Sequence, residues 1–273
     1  MVKERADLLL VQQGLADSRE KAKRYIMAGQ VYDDKQQRID KAGEKIDSQV
    51  QLQLKGEEMP YVSRGGLKLD KARQVFGIDF IDKIVLDIGS STGGFTDVAL
   101  QNGAQLSYAL DVGTNQLAWK LRNDDRVIVM EQTNFRYSQL ADFTHGQPEI
   151  ATIDVSFISL ALILPNLSHI IAPGGQVVAL IKPQFEAGRD QVGKKGLVRD
   201  KKVHIEVIHK VAELACQEGF NFNNLDYSPI TGGTGNIEFL AHLERTQAGL
   251  GQFNPQLDIP ALVDQAHQNL LGK

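Results

Sequence analysis

Asp87-Ile-Gly-Ser-Ser-Thr-Gly-Gly-Phe95 decides how this chain folds. An apolar run, Ile84-Val-Leu86, leads in as a strand does, and Phe95-Thr-Asp-Val-Ala-Leu100 leads out at helical spacing. Strand, glycine turn and helix form the opening unit of a doubly wound α/β sheet. Gly89, Gly93 and Gly94 let backbone amides approach a ligand at the helix N-terminus, with Ser90, Thr92 and Phe95 alongside. The spacing is D-x-G-x-x-x-G-G, not the G-x-G-x-x-G of a pyrophosphate site. An acid at the strand end suits a ligand with an amino-acid tail and an adenosine, such as S-adenosylmethionine (SAM), better than a diphosphate. A nucleotide site and a plain structural turn are the alternatives on this stretch alone.

Moving outward, apolar runs and helical patterns alternate. Strands are expected near 83–88, Leu106–Val112, Val127–Met130, Ile150–Val155 and Gln176–Lys182. Helices are expected at Leu67–Phe76, Asn115–Leu121 and Val203–Glu218. Two more strands follow, Phe222–Tyr227 and Ile237–Leu243, and then a terminal helix at Pro260–Leu270. Alternation means a parallel sheet, and two final strands without a helix between them form a hairpin, so the last strand is antiparallel. SAM-dependent methyltransferases use that topology.

Ligands of such sheets bind beyond the carboxyl ends of the parallel strands. Asp87, Asp111, Asp154 and Lys182 each follow an apolar run, and Glu238 lies near the start of the antiparallel strand, on the same edge. Asp111 stands 24 residues after Asp87, where an acid bonds ribose hydroxyls. Asn134, after the third strand, joins the cofactor candidates. A lysine between Leu180-Ile181 and Pro183 is partly desolvated, which favours its neutral, proton-accepting form. Asp154 is placed to orient it, and Glu238 to hold a partner lysine.

The first 57 residues read as a separate module. Two helices, one ending near Gly14 and one from Arg19 to Ala28 capped by Asp17-Ser18, precede short strands at Val31-Tyr32 and Val50–Leu54. The module holds 11 Lys and Arg against 10 Asp and Glu, so it is not basic as a whole. Its basic residues bunch, with Arg19, Lys21, Lys23 and Arg24 within six positions. Lys55 to Pro60 reads as a linker, giving domains of 1–58 and 59–273.

The bulk numbers exclude other classes. The chain has 273 residues, 42% hydrophobic and 23% charged, a globular composition with room for one domain and a smaller one. No apolar run is long enough for a membrane span, and the charged start leads into no signal peptide. The single Cys216 fits a reducing cytoplasm. Six histidines occur singly or at i, i+5, so no metal is expected. A net charge of −4 argues against bulk-charge coating of nucleic acid and directs attention to local patches. One such patch is Arg189–Lys202, with six basic residues, among them Arg189, Lys194, Lys195 and Arg199, against two acids.

Two resemblances sharpen these readings. Arg5-x-Asp7-x-x-Leu10, Gly14-x-x-x-Ser18-Arg19-x-x-Ala22 and Gly29-x-Val31 resemble the S-four-type RNA-binding domain. That implies Arg5, Arg19, Lys21, Lys23 and Arg24 as phosphate contacts. Ser63-Arg64-Gly-Gly-Leu-Lys68-Leu, the glycine stretch, Asp154-Val-Ser-Phe-Ile-Ser159, Lys182-Pro-Gln-Phe-Glu186 and Gly235-Asn-Ile-Glu238-Phe resemble the hemolysin A (TlyA) family of ribosomal RNA methyltransferases. Those proteins join such an RNA-binding domain to an FtsJ-like methyltransferase domain. The resemblance implies SAM as cofactor and a catalytic tetrad of Lys68, Asp154, Lys182 and Glu238. It also implies a ribose 2′-hydroxyl of ribosomal RNA or a ribosomal subunit as acceptor, usually at cytidine, with Arg64 among the RNA contacts. The choice of Lys68 over Lys71 rests on the motif alone. Competing readings are a cytolysin, as the family's older name suggests, and an assembly factor that holds SAM without turnover.

Overall fold

The computed structural model describes residues 3–27, 29–55, 59–247 and 249–272, and the chain divides between Met1–Arg64 and Gly65–Lys273. Residues 56–58, half of the expected linker, and Ala28, the expected end of the second helix, lie outside the described residues.

The first unit runs β1 (Lys3–Arg5), α1 (Ala6–Gln12), α2 (Arg19–Met27), β2 (Val31–Tyr32), β3 (Lys45–Asp47) and β4 (Gln53–Leu54). Ala6, Leu9 and Leu10 recur at i, i+3 and i+4, as do Ala22, Tyr25 and Ile26, and the two stripes meet over Val31, Ile39 and Leu52. Strands β1 and β3 pair antiparallel, as do β2 and β4. The sequence reading missed β1 and β3, whose segments, Lys-Glu-Arg and Lys-Ile-Asp, are too short and polar to alternate.

The second unit opens with α3 (Gly66–Phe76), β5 (Ile84–Ile88), α4 (Gly94–Gln101), β6 (Leu106–Leu110), α5 (Trp119–Arg122), β7 (Val127–Met130) and β8 (Ile150–Ile153). It continues with α6 (Leu164–Ile170), β9 (Gln176–Ile181), α7 (Pro183–Glu186), α8 (Lys201–Gln217), β10 (Phe220–Tyr227), β11 (Phe239–Arg245) and α9 (Ile259–Leu271). Seven strands form one sheet in the order β10-β11-β9-β8-β5-β6-β7. The five from β9 to β7 are parallel, and β11 runs antiparallel to both of its neighbours.

The central strands are apolar on both faces because helices cover both sides of a parallel sheet. In β8 every residue is buried. Asp200 caps α8 by accepting from the Lys202 amide, and Asp258 caps α9 by accepting from the Ala261 amide. From α8, Val203, Val207, Ile208, Val211 and Ala215 form a buried stripe of helical period.

Expected boundaries shift by a residue or two at most strands, with larger differences among the helices, α7 standing where a loop over 184–199 was expected. The helix expected over Asn115–Leu121 is only the single turn α5, because Asn115 takes a left-handed conformation (φ 55°) that stops it forming earlier. The sequence reading does not contain helix α6, because it takes Leu160–Leu164 only as a core-sized apolar run. Proline is tolerated in the first turn of a helix, and Pro165 stands there.

Register is what builds the site. Ile88 pairs with Ile153, and Phe239 with Ile181, so the residues just past these ends share one edge of the sheet.

Candidate active site

Four charged side chains meet at that edge in a chain of contacts. Lys182 Nζ lies 2.5 Å from Asp154 Oδ1 and donates to Ser156 Oγ at 3.2 Å. Lys68 Nζ donates to Asp154 Oδ2 at 3.3 Å and to Glu238 Oε2 at 2.6 Å. Lys68, Lys182 and Glu238 are each less than a tenth exposed. Two cations and two anions cancel, as burial requires. Lys71, by contrast, is tied to Asp226 and to the Tyr227 carbonyl, away from this cluster.

The lysines are not equivalent. Burial works against the charge on Lys68, but the neighbouring Asp154 and Glu238 carboxylates outweigh it and raise its pKa above the usual lysine value. Burial likewise pushes Asp154 up, and the ammonium groups of Lys68 and Lys182 override that, leaving it below the usual carboxylate range. Among the described residues, Lys68 pairs with two carboxylates and Lys182 with one.

The glycine turn lies between β5 and α4. Gly89 has φ +85°, and a Cβ there would come within 2.8 Å of the Asp154 carbonyl oxygen, so only glycine fits. Gly93 and Gly94 are buried, and Gly94 and Phe95 open α4, where amides have no partner one turn back. The Ser90 amide bonds the Leu110 carbonyl, Thr92 accepts from the Ala118 amide, and the Phe95 ring is buried. Asp111, just past β6, accepts from the Ser91 amide at 2.8 Å and the Gly113 amide at 2.7 Å. Each of its oxygens keeps a further lone pair for a hydroxyl. Val112 beside it is an exposed apolar face, which the sequence reading missed. Asn134 caps the turn that follows β7 by accepting from the Arg136 amide.

Asp87 needs a correction. Expected to contact the ligand, it is fully buried, and its oxygens accept from the Thr96 amide, the Thr96 hydroxyl and the Thr152 hydroxyl. Burial pushes its pKa up to about 7 against those bonds. It shapes the turn from beneath.

Beside the tetrad lies a cleft of about 760 Å³ lined by Arg136, Phe157, Ser159, Gln184, Phe185 and Arg189, among others. Phe157 is 92% exposed and takes a left-handed conformation, φ 64°. An exposed aromatic ring on strained backbone points to use. Its ring centroid is 5.2 Å from that of Phe185. The motif Asp154-Val-Ser-Phe-Ile-Ser159 contained Ser156 and Phe157, but nothing in the sequence marked one as a hydrogen-bond partner and the other as exposed.

The candidate RNA contacts fall into three groups. Arg189, Lys194, Lys195 and Arg199 are all exposed around the loop before α8. Arg64 is exposed at the end of the first unit. Within that unit Lys23 and Arg24 are exposed, and Lys21 pairs with Asp17 at 3.0 Å. Arg5 and Arg19 already share a partner: Arg5 grips Asp7 with two bonds of 2.9 Å, and Arg19 adds a third of 3.2 Å. Asp7 is fully buried, so these arginines stabilise the unit before they meet any phosphate.

A model of the FtsJ-like methyltransferase family matches residues 61–245. The chain belongs to the TlyA (hemolysin A) family of FtsJ-like methyltransferases. It is 60% identical over 272 residues to the YqxC protein of Bacillus subtilis (strain 168), covering 99% of this chain and 96% of that one. It is 40% identical to the 16S/23S rRNA (cytidine-2′-O)-methyltransferase TlyA of Mycobacterium tuberculosis, covering 89% and 90%. A solved structure from Streptococcus thermophilus, described as a candidate hemolysin, is 57% identical, with a TM-score of 0.80 over 100% of this chain and 98% of that one. Among the described residues, no helix is long and apolar enough to cross a membrane.

Proposed function

We propose that this protein methylates a ribose 2′-hydroxyl of ribosomal RNA, at cytidine, using SAM. The observation that carries the reading is the buried chain Lys182–Asp154–Lys68–Glu238 at the carboxyl edge of the sheet. The relatives named as rRNA (cytidine-2′-O)-methyltransferases support the substrate.

The residues around the glycine turn fit SAM. Asp111 suits ribose hydroxyls, Val112 offers an apolar face to adenine, and the first amides of α4 suit a carboxylate. When bound, SAM supplies an electrophilic methyl group whose transfer to the ribose oxygen releases one proton from that oxygen. Lys182 Nζ is the group placed to take that proton, which it can accept once it has given up one of its own. Asp154, 2.5 Å away, stabilises the ammonium that results. Lys68 stays cationic between Asp154 and Glu238 and serves as a fixed donor toward the sugar. The Phe157–Phe185 ledge gives the target base a surface to stack on once it leaves its helix. Arg136 and Arg189 flank it and suit the adjoining phosphates.

The first unit, read as an S-four-type domain, serves to grip structured RNA through Lys21, Lys23 and Arg24, and through donors that Arg5 and Arg19 have left beyond Asp7. Such a substrate places the protein in the cytoplasm.

The test is methyl incorporation from labelled SAM into ribosomal RNA and into separate ribosomal subunits, with the product mapped. Label on a cytidine ribose is the expected result. SAM binding without transfer to any of these substrates would contradict the reading and favour an assembly factor.

A further inference from the structure

Asn236, inside the Gly235-Asn-Ile-Glu238-Phe motif, has no part in the chemistry above, yet it is 1% exposed. Its side chain spans two segments. Oδ1 accepts from the Val198 amide at 2.9 Å, and Nδ2 donates to the Gly196 carbonyl at 2.8 Å and to Thr234 Oγ1 at 3.1 Å. Both backbone partners belong to the basic loop before α8, and Glu238 lies two residues further along Asn236's own strand approach.

Val198 is held from the other side as well. Its carbonyl lies 3.2 Å from His204 Nε2, and His204 Nδ1 lies 3.0 Å from His267 Nε2. A carbonyl can only accept, so His204 carries its proton on Nε2, and His267 Nε2–H donates to His204 Nδ1. The loop is therefore fixed at Gly196 and Val198, while Lys194 and Lys195 stand exposed at its tip. Within the loop the Gly193 amide bonds the Leu197 carbonyl, closing a tight turn around the two lysines.

We infer that Asn236 is a positioning residue that fixes the height of the Lys194–Lys195 tip relative to Glu238 and Lys68, coupling the grip on an RNA backbone to the catalytic edge. This rests on the proposed RNA substrate. A buried side chain satisfied by two loop backbone groups is costly to orphan, so the loop follows its anchor. Packing alone does not require an amide here, because Val198 is already buried and would hold the loop's stem through apolar contact.

The experiment compares the full-length protein, Asn236→Ala, Lys194→Gln/Lys195→Gln and the combined variant. Each is assayed for binding to deproteinised ribosomal RNA across a salt series, for SAM affinity by calorimetry, and for methyl transfer. The expected result for Asn236→Ala is about 5–10-fold weaker RNA binding and a salt slope smaller by about 1, as for loss of roughly one phosphate contact. KM for RNA should rise more than kcat falls, and SAM affinity should stay within about twofold, since the anchor touches neither reacting group. On the double-lysine background Asn236→Ala should add little, because both changes remove the same contact. If Asn236→Ala loses its unfolding transition, Asn236→Asp takes its place, keeping the acceptor for Val198 and opposing the Gly196 carbonyl. An unchanged salt slope, or effects that add in the combined variant, would overturn the inference while leaving the functional reading intact. A wild-type protein that binds RNA without salt dependence would overturn both.

Discussion

Each unit of this protein holds one aspartate between two cations, and the two arrangements serve opposite ends. In the first unit Asp7 is held by Arg5 and Arg19, whose side chains are 40% and 51% exposed. In the second, Asp154 is held by Lys68 and Lys182, both at most 9% exposed. Arginine keeps its proton at any accessible pH, so the first network can only bind and brace. Lysine can give up its proton when its surroundings change, so the second can take part in proton transfer. The same charge pattern is structural or chemical according to which cation closes it and how much water reaches it.

The largest expected effect comes from cutting the second network at its reactive end. Lys182→Ala should lower methyl transfer by about 10²–10⁴-fold, the usual worth of a general base, with SAM affinity within a few-fold. Loss of SAM binding in parallel would instead mark Lys182 as part of the cofactor site.

Asp87 sharpens the comparison, because it is a buried acid whose hydrogen bonds come from neutral donors. Its folded pKa is raised to about 7, so between about pH 4 and pH 7 the folded state holds a proton that the unfolded chain has lost. Stability should therefore fall as pH rises through that window, and Asp87→Asn should flatten this component. Equal pH dependence in urea unfolding of the two proteins would show that the neutral donors satisfy the carboxylate as well as cations do.

Asp7 behaves with the opposite sign. Arg5, against the pull of burial, and then Arg19 lower its pKa to about 2, so its contribution is full above about pH 4 and is lost as pH falls through 2. Wild type and Asp7→Asn should differ in thermal unfolding at pH 5 and converge toward pH 2. A gap that persists at pH 2 would mean that Asp7 acts through shape and not charge.

The smallest effect is a steric one. A Cβ on Gly232 would collide with the Glu238 carboxylate, so Gly232→Ala should push Glu238 off Lys68. We expect about tenfold slower transfer with the unfolding transition retained, since the obstructed atom ends a flexible side chain. Unchanged kcat would show that Glu238 is not needed to hold Lys68.

Much of this was legible in the sequence. Apolar runs ending in Asp111, Asp154 and Lys182 fixed the sheet and its ligand-bearing edge, because strand ends in parallel sheets carry the chemistry. The pairing of Glu238 with Lys68 needed the motif, since the two lie 170 residues apart and α3 offers Lys71 as an equal candidate. What the sequence hid were roles set by direction. Asp87 looked like a ligand contact but points under the turn to Thr96 and Thr152. Arg5 and Arg19 looked like free phosphate contacts and are partly spent on Asp7. Asn236 and Glu186 sat inside quoted motifs without a role. Glu186 is buried and accepts from the Ser159 hydroxyl at 2.6 Å and the Leu160 amide at 2.8 Å, clamping one motif loop to the other. Residue spacing identifies which groups share an edge, but which of them face inward depends on contacts made far along the chain.

The most direct measurement sets Lys182→Arg beside Lys182→Ala in single-turnover methyl transfer to ribosomal RNA. Arginine keeps a cation next to Asp154 but cannot accept the ribose proton. If Lys182 is the base, both variants fall to the same low rate while binding RNA and SAM. Restoration of most of the wild-type rate by arginine would contradict the account and leave Lys182 an electrostatic support.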